Sequence, residues 1–383
     1  MNIHDIADLC GVSVATISRV INNSASVNGQ TREKVFRVMR EAGYVPNAFA
    51  SGYGRNAMRI VGILCRDVMS LYYAKAVSLL AENLRRRGFH TLLCSTGNDL
   101  ESKKKYLASM LDSRVDAVIL VGSAYRENRD SSHIRAAASQ TPVFFINAYI
   151  QIPNVYCVFC DEKEAIHSAV REMAGAGMRR ILYLHDMDVW AWAGSQKLAG
   201  YRAAAGECGL DADQGLVRYV KTDIDAARQA VEELIDGGFE FDGVIASEDM
   251  LAIGALKATI ARKRKVPVVG FNNSSITRCC SPELSSIDNM LDTLCPMAVD
   301  MLARHFDGEK ISSKVAVSAE LVERETFRTQ RQGGAEEKRQ AGTQAGRQAD
   351  GEGKRQGGAQ EGRQAGAQEG QRAGGERKRQ GGA

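Results

Sequence analysis

Apolar residues near the start of the chain recur at helical spacing. Ile3, Ile6, Ala7 and Cys10 fall at i, i+3, i+4 and i+7, and Ile17, Val20 and Ile21 form a second short stripe. Gly11, between them, can take the positive φ of a sharp turn, and small Ala7 lets two helices approach closely. Residues 2–22 therefore predict a helix-turn-helix. A third stripe, Val35, Val38, Met39 and Ala42, predicts a helix capped by Thr31 and stopped by Gly43, so that three stripes close one small core. Beyond residue 59 the pattern changes. Short apolar runs at 60–64, 91–94, 117–121 and 143–146, and again at 181–184, 243–246 and 266–270, alternate with helix-length segments. That spacing predicts βαβ units and two parallel sheets, hence two lobes, whose ligand site lies beyond the carboxyl ends of the strands. From Arg331 the pattern changes once more, to an eight-residue repeat (RQGGAEEK, RQAGTQAG, RQADGEGK and on) in which nothing is more apolar than alanine. Such a segment buries too little surface to offset its ordering entropy, and disorder is the expectation.

On the second helix, Ala15, Ser18, Arg19 and Asn22 lie opposite the apolar stripe, with Ser13, Val14 and Thr16 at the leading end. The face is short, polar and basic. Small side chains can approach base edges, hydroxyls can meet phosphates, and an arginine can hold guanine through two hydrogen bonds, so this face suits the major groove of double-stranded DNA. The plain alternative is a helical hairpin with a solvated polar face. Charge favours the first: residues 1–59 hold seven Lys/Arg against four Asp/Glu, although the whole chain of 383 residues carries only +4.

The adjoining motifs IHDIA, GVSVATISRVIN, TREKV and GYVPNA, in that order, resemble the lactose-repressor (LacI/GalR) family of bacterial transcription regulators, and the resemblance runs to about Phe327. It implies a helix-turn-helix head at 1–47, a hinge at 48–59, a periplasmic-binding-protein-like effector and dimerisation core at 60–327, and a tail at 328–383 about which the family is silent. In the family the hinge folds on operator DNA and inserts a leucine into the minor groove. Here Tyr53 stands at that position, between Gly52 and Gly54, as an aromatic wedge or as part of an ordinary linker.

In the core, the resemblance places an effector cleft between the lobes and assigns it Asn147, Lys197, Glu248, Asp249 and Asn272. Asp161 is placed at the opening of the helix after the crossover strand, and 197–201 in a helix that resembles the family's R-x-x-G-[FYW]. Relatives that bind sugars often carry carboxylates where this chain has Asn147 and Asn272, and arginine where it has Lys197. Amides both donate to and accept from hydroxyls, which leaves a neutral sugar or glycoside open, whereas lysine lacks the fork that grips a planar carboxylate. Trp190 and Trp192 are read either as a sugar-stacking pair or as packing under a loop.

Other chemistries find little support. Nine cysteines scattered among apolar segments read as reduced thiols. Cys157 and Cys160 have C-x-x-C form but fall in a strand, where residues three apart point to opposite faces. Cys279-Cys280 reads as a loop pair, and His185, Asp186 and Asp188 as a polar loop after a strand; neither a metal nor a cofactor is implied. A phosphate-binding glycine loop, a G-x-S-x-G elbow and an H-E-x-x-H pair are absent, and Glu248 and Asp249 diverge by about 100° at a helix start, so no enzyme is expected. The chain shows neither an export leader nor a run of about 18 apolar residues, so a soluble, cytoplasmic protein without a membrane partner is expected. A single head makes few contacts, so two heads on a near-palindrome, hence a homodimer, are expected. The tail, with twelve Lys/Arg against seven Asp/Glu over 328–383, lacks the leucine heptads of a tetramerising coiled coil. It is read as an expanded coding repeat, or as a weak non-specific attraction to DNA that fades with salt.

Overall fold

The computed structural model describes residues 3–21, 26–42, 59–126, 130–187, 192–210 and 214–329. Asn22, Tyr53, Trp190, Asp188, nearly all of the hinge and all of the repeat lie outside them.

Three helices form the head: α1 (Ile3–Cys10), α2 (Val14–Ile21) and α3 (Gly29–Glu41). Ile6, Ala7 and Cys10 meet Ile17, Val20, Val35 and Met39 in one buried cluster, and Gly11 turns the chain at φ 61°. The Ser13 hydroxyl caps α2 by accepting the Thr16 N–H at 3.2 Å, which ties up part of a side chain assigned to DNA. The cap of α3 is not Thr31 but Asn28, whose Oδ1 accepts the Thr31 N–H at 2.8 Å. The helix therefore starts at Gly29, and Thr31 becomes its third residue.

The core comprises two six-stranded sheets of one topology. The first lobe runs β1 (Ile60–Cys65), α4 (Leu71–Arg86), β2 (His90–Ser95), α5 (Leu100–Asp112), β3 (Ala117–Val121), α6 (Ser132–Ala138), β4 (Val143–Ile146) and β5 (Val155–Cys160). After the first crossover come α7 (Glu162–Gly175), β6 (Ile181–Asp186), α8 (Trp192–Glu207), β7 (Val217–Val220), α9 (Ile224–Asp236), β8 (Gly243–Ala246), α10 (Asp249–Ala261), β9 (Val268–Phe271) and β10 (Ser285–Asp288). The chain then returns through α11 (Leu291–Phe306) and β11 (Lys314–Val317) to the first lobe and ends in β12 (Glu320–Val322) of the second. The strand orders are β11-β5-β4-β3-β1-β2 and β12-β10-β9-β8-β6-β7. All pairings are parallel except β10 with β12.

The inner strands of each sheet are buried on both faces. Helices α4 and α11 cover one face of the first sheet, and α5 and α6 the other. Helices α9 and α10 cover one face of the second, and α7 and α8 the other. Burial on both sides explains why most strands read as unbroken apolar runs. Cys157 and Cys160 do face opposite ways, into different clusters of the first lobe. Cys279 and Cys280 lie in the connection between β9 and β10, where Cys279 ends a short 3₁₀ turn, Ser275–Cys279, and Cys280 caps it. Among the described residues no helix is long and apolar enough to cross a membrane.

Candidate functional site: a DNA-facing helix and an interlobe cleft

On α2 the buried side is Ile17 and Val20, while Ala15 and Arg19 are exposed and Val14, Thr16 and Ser18 half-buried. The polar face expected from the helical wheel is therefore available to a partner.

The second site is a cleft between the two lobes, open to solvent on one side, with a cavity of about 100 Å³. It is lined from the first lobe by Arg66, Tyr73, Ser123 and Asn147, and from the second by Asp186, Lys197, Glu248 and Asn272. Most of these follow the carboxyl ends of strands: Arg66 after β1, Ser123 after β3, Asn147 after β4, Glu248 after β8 and Asn272 after β9. In a 2-1-3-4-5 sheet the connections from neighbouring strands part there and leave a crevice. Two such crevices face each other. Asn147 and Asn272 sit at φ 55° and 103°, in left-handed backbone that asparagine tolerates better than most residues. Their identity thus answers to the turn at the strand end as well as to any ligand.

Lys197 is the centre of the cleft floor. Its ammonium donates to Ser247 O at 3.0 Å, lies 3.9 Å from Glu162 and 3.8 Å from Glu248, and sits 3.8 Å from the centroid of the Phe271 ring. Burial works to lower its pKa, yet the carboxylates of Glu162, Glu248 and Asp186 outweigh that and hold it above the ordinary lysine value. Asn272 donates from Nδ2 to Glu248 and accepts from Asn289 Nδ2 at 2.7 Å. Asn147 Oδ1 accepts the Cys160 N–H at 2.9 Å, next to the first crossover.

Four of the five expected effector residues, Asn147, Lys197, Glu248 and Asn272, come together. Asp249 does not line the cleft. As the first residue of α10 it turns away from Glu248, and its carboxylate accepts from Ser274 N at 2.8 Å, Ser274 Oγ at 2.6 Å and Ser286 Oγ at 2.6 Å. It braces the loop after β9 from beneath. Trp192 packs edge-on against Phe159, ring centroids 5.7 Å apart, with the Arg126 guanidinium 5.2 Å from its own centroid, which is the packing alternative. His185 belongs to β6 rather than to a loop; it is buried, and its Nε2 faces Gly194 O at 3.0 Å. Sequence reasoning missed Glu162, Tyr73, Arg66 and Asn289. Glu162 was within reach, since it follows Asp161 at the end of β5, and strand ends are where ligands are sought.

The buried carboxylates make stability depend on pH. Burial raises Glu248 to about 7, with Lys197 opposing, and raises Asp249 to about 6 against its serine hydrogen bonds. The folded protein thus binds these protons more tightly than the unfolded chain, and the stabilisation is lost as pH rises through 6 and 7. Urea midpoints should fall between pH 5.5 and pH 8, and Asp249→Asn should flatten the slope. A midpoint that rose over that interval would contradict the burial of these groups.

The description "Bacterial regulatory proteins, lacI family" matches residues 2–47, and "Periplasmic binding proteins and sugar binding domain of LacI family" matches residues 59–331. The chain belongs to the LacI family. A relative from Lachnoclostridium phytofermentans, an HTH-type transcriptional regulator, is 40% identical over 332 residues, covering 85% of this chain and 99% of that one. The Escherichia coli regulator AscG is 27% identical over 330 residues, covering 84% and 97%. Among solved structures, a CelR–cellobiose complex is 26% identical with a TM-score of 0.62, covering 85% of this chain and all of that one. The lac repressor dimer bound to operator and the anti-inducer ONPF shares the fold, at 21% identity and a TM-score of 0.72, covering 85% and 98%. This LacI-family chain is a DNA-binding transcriptional regulator with a helix-turn-helix head and an effector-binding core. The two matched stretches reach residue 331 and leave the rest of the repeat outside the family.

Proposed function

We propose that the chain is a homodimeric repressor whose affinity for a near-palindromic operator is set by a carbohydrate effector held between the core lobes. The observation that carries this reading is the meeting of Asn147, Lys197, Glu248 and Asn272 in one cleft built from the strand ends of both lobes. Hydrogen-bonding groups outnumber apolar ones there, as a polyhydroxy ligand requires. The head is 1–47, the hinge 48–59, the core 60–327 and the tail 328–383. On α2, Val14, Ala15, Thr16, Ser18 and Arg19 face bases and phosphates; Ser13, Asn22 and Tyr53 complete the proposed interface. Closure of the lobes around a ligand changes the spacing of two heads and so the fit to two half-sites.

Dimerisation is supported by the edges of both sheets. Strand β2 is exposed along its length, with Leu92 and Leu93 38% and 43% accessible, and β7 exposes Tyr219 at 47%. An open strand edge that carries large apolar side chains is covered in stable proteins, and a second copy of the chain covers both edges by symmetry.

The test is readout by Arg19. Arg19→Ala should weaken binding to a selected operator by about 1 to 3 kcal/mol while changing random DNA far less. Equal losses on both would remove the base-contact assignment. In the same assay Asn272→Ala should abolish the effector response and leave operator affinity in place. A full response in that variant would move the effector elsewhere.

A further inference from the structure

The polar groups of the cleft do not all find partners within the protein. Glu162, the first residue of α7, is 95% buried; its Oε1 faces Lys197, and its Oε2 has no hydrogen-bond partner. Asn147, only 2% accessible, spends its Oδ1 on Cys160 and turns its Nδ2 toward the buried Tyr72 hydroxyl, neither atom closing a full hydrogen bond. Both line the cleft. A buried polar group without a partner costs of order 1 to 3 kcal/mol, so a ligand that supplies a donor to Glu162 and an acceptor to Asn147 recovers that cost.

The sign of the charge adds a second constraint. The lining carries three carboxylates, Glu162, Asp186 and Glu248, against two cations, Lys197 and Arg66. Lys197 is already engaged with Ser247, both glutamates and the Phe271 ring, and Arg66 stacks over Tyr73 at 5.6 Å. An anion entering this cleft finds both cations already engaged and competes with Glu162, Glu248 and Asp186 for Lys197, a competition that costs it most in a partly dry site.

We infer that Glu162 is an effector-contacting residue that admits uncharged or amine-bearing polyhydroxy ligands and rejects their phosphates and carboxylates. This rests on the reading of the cleft as the effector site. A ligand hydroxyl at Glu162 donates to its orphan oxygen, and another hydroxyl of the same ligand accepts from Asn147. A protonated amine at Glu162 donates in the same way and pairs its charge with that carboxyl group. If Glu162 served only to start α7 and pair with Lys197, ligands would not be ranked by their charge.

The experiment is calorimetry and thermal shift on the full chain with matched compounds. The neutral probes are glucose, galactose and cellobiose; the amines are glucosamine and galactosamine; the anions are glucose 6-phosphate, galactose 6-phosphate and glucuronate. Binding is expected among neutral or amine probes, with each phosphate weaker than its parent sugar by about tenfold or more. In Glu162→Gln that gap should shrink to about threefold or less, and any amine should lose about tenfold. A phosphate or glucuronate that bound wild type as tightly as its parent would overturn the inference and leave the carbohydrate reading standing. So would a Glu162→Gln variant, folded by circular dichroism, that kept every affinity. Binding by none of the probes would count against the cleft as a carbohydrate site and against the inference with it. Should the variant fail to fold, the ranking on wild type decides alone.

Discussion

Lys197→Met is expected to destabilise the protein by about 3 to 5 kcal/mol at pH 8, with the partial exposure of Glu248 favouring the lower end. Methionine fills the space over Phe271 and removes the charge together with the hydrogen bond to Ser247 O. The cost lies in what remains: Glu162, almost fully buried, and Glu248 lose the ammonium that sits within 4 Å of each. Both carboxyls already lie above their ordinary values, because burial penalises their charged forms. Without Lys197 they take up protons instead, so the penalty should shrink on moving from pH 8 to pH 5.5. Urea unfolding of both proteins at the two pH values measures this. A loss below about 1 kcal/mol at pH 8, or one that did not depend on pH, would mean that the lysine is not what holds the cleft floor together.

Gly200→Val should cost about 3 kcal/mol, the upper end of the overpacking range, and should blunt the effector response. Gly200 lies on the face of α8 that meets α7, and a Cβ there would land on the Lys163 carbonyl oxygen and 3.2 Å from the His167 backbone nitrogen. Neither neighbour is a side chain that can swing aside, so the helices must separate, and α8 carries Lys197 with it. The control lies two turns along the same helix. Gly206 has open space where a Cβ would go, and Gly206→Ala should stabilise by about 0.5 to 1 kcal/mol through helix propensity alone. Melting curves of the two variants should therefore move in opposite directions. If Gly200→Val melted like wild type, the contact between α7 and α8 would be looser than the packing at Gly200 requires.

The geometry also relates the cleft to the chain crossings. Asn147 bonds to Cys160 at the first crossover, Glu162 stands just past it, and Asn289, which donates to Asn272, stands at the second. Residues of the proposed effector site are thus joined by single hydrogen bonds to the segments where the chain passes between the lobes. In the proposed mechanism, occupancy biases closure without a long relay.

Local pattern alone determined the head and the positions of most strands. The stripes of α1, α2 and α3 repeat every three to four residues and need only each other for burial, so periodicity suffices. Strands such as β3 and β4, buried on both faces, announce themselves as apolar runs. Where burial is met by hydrogen bonds instead, the pattern is silent. Strand β10 reads SSID, and its serines are buried because Ser285 bonds to Thr326 and Phe327 while Ser286 bonds to Asp249, partners about 40 residues away in sequence. Strand β2 shows the reverse, an apolar run left exposed because it ends a sheet. Only the tertiary structure returned α11 and β11 to the first lobe, since nothing in a helix's own residues says which sheet will cover it. The same limit applied to the cleft. Family motifs and strand ends pointed to Asn147, Lys197, Glu248 and Asn272, but the side each carboxylate of a neighbouring pair faces depends on groups folded in from elsewhere. Ser274 and Ser286 draw Asp249 away from the cleft, and Lys197 draws Glu162 into it.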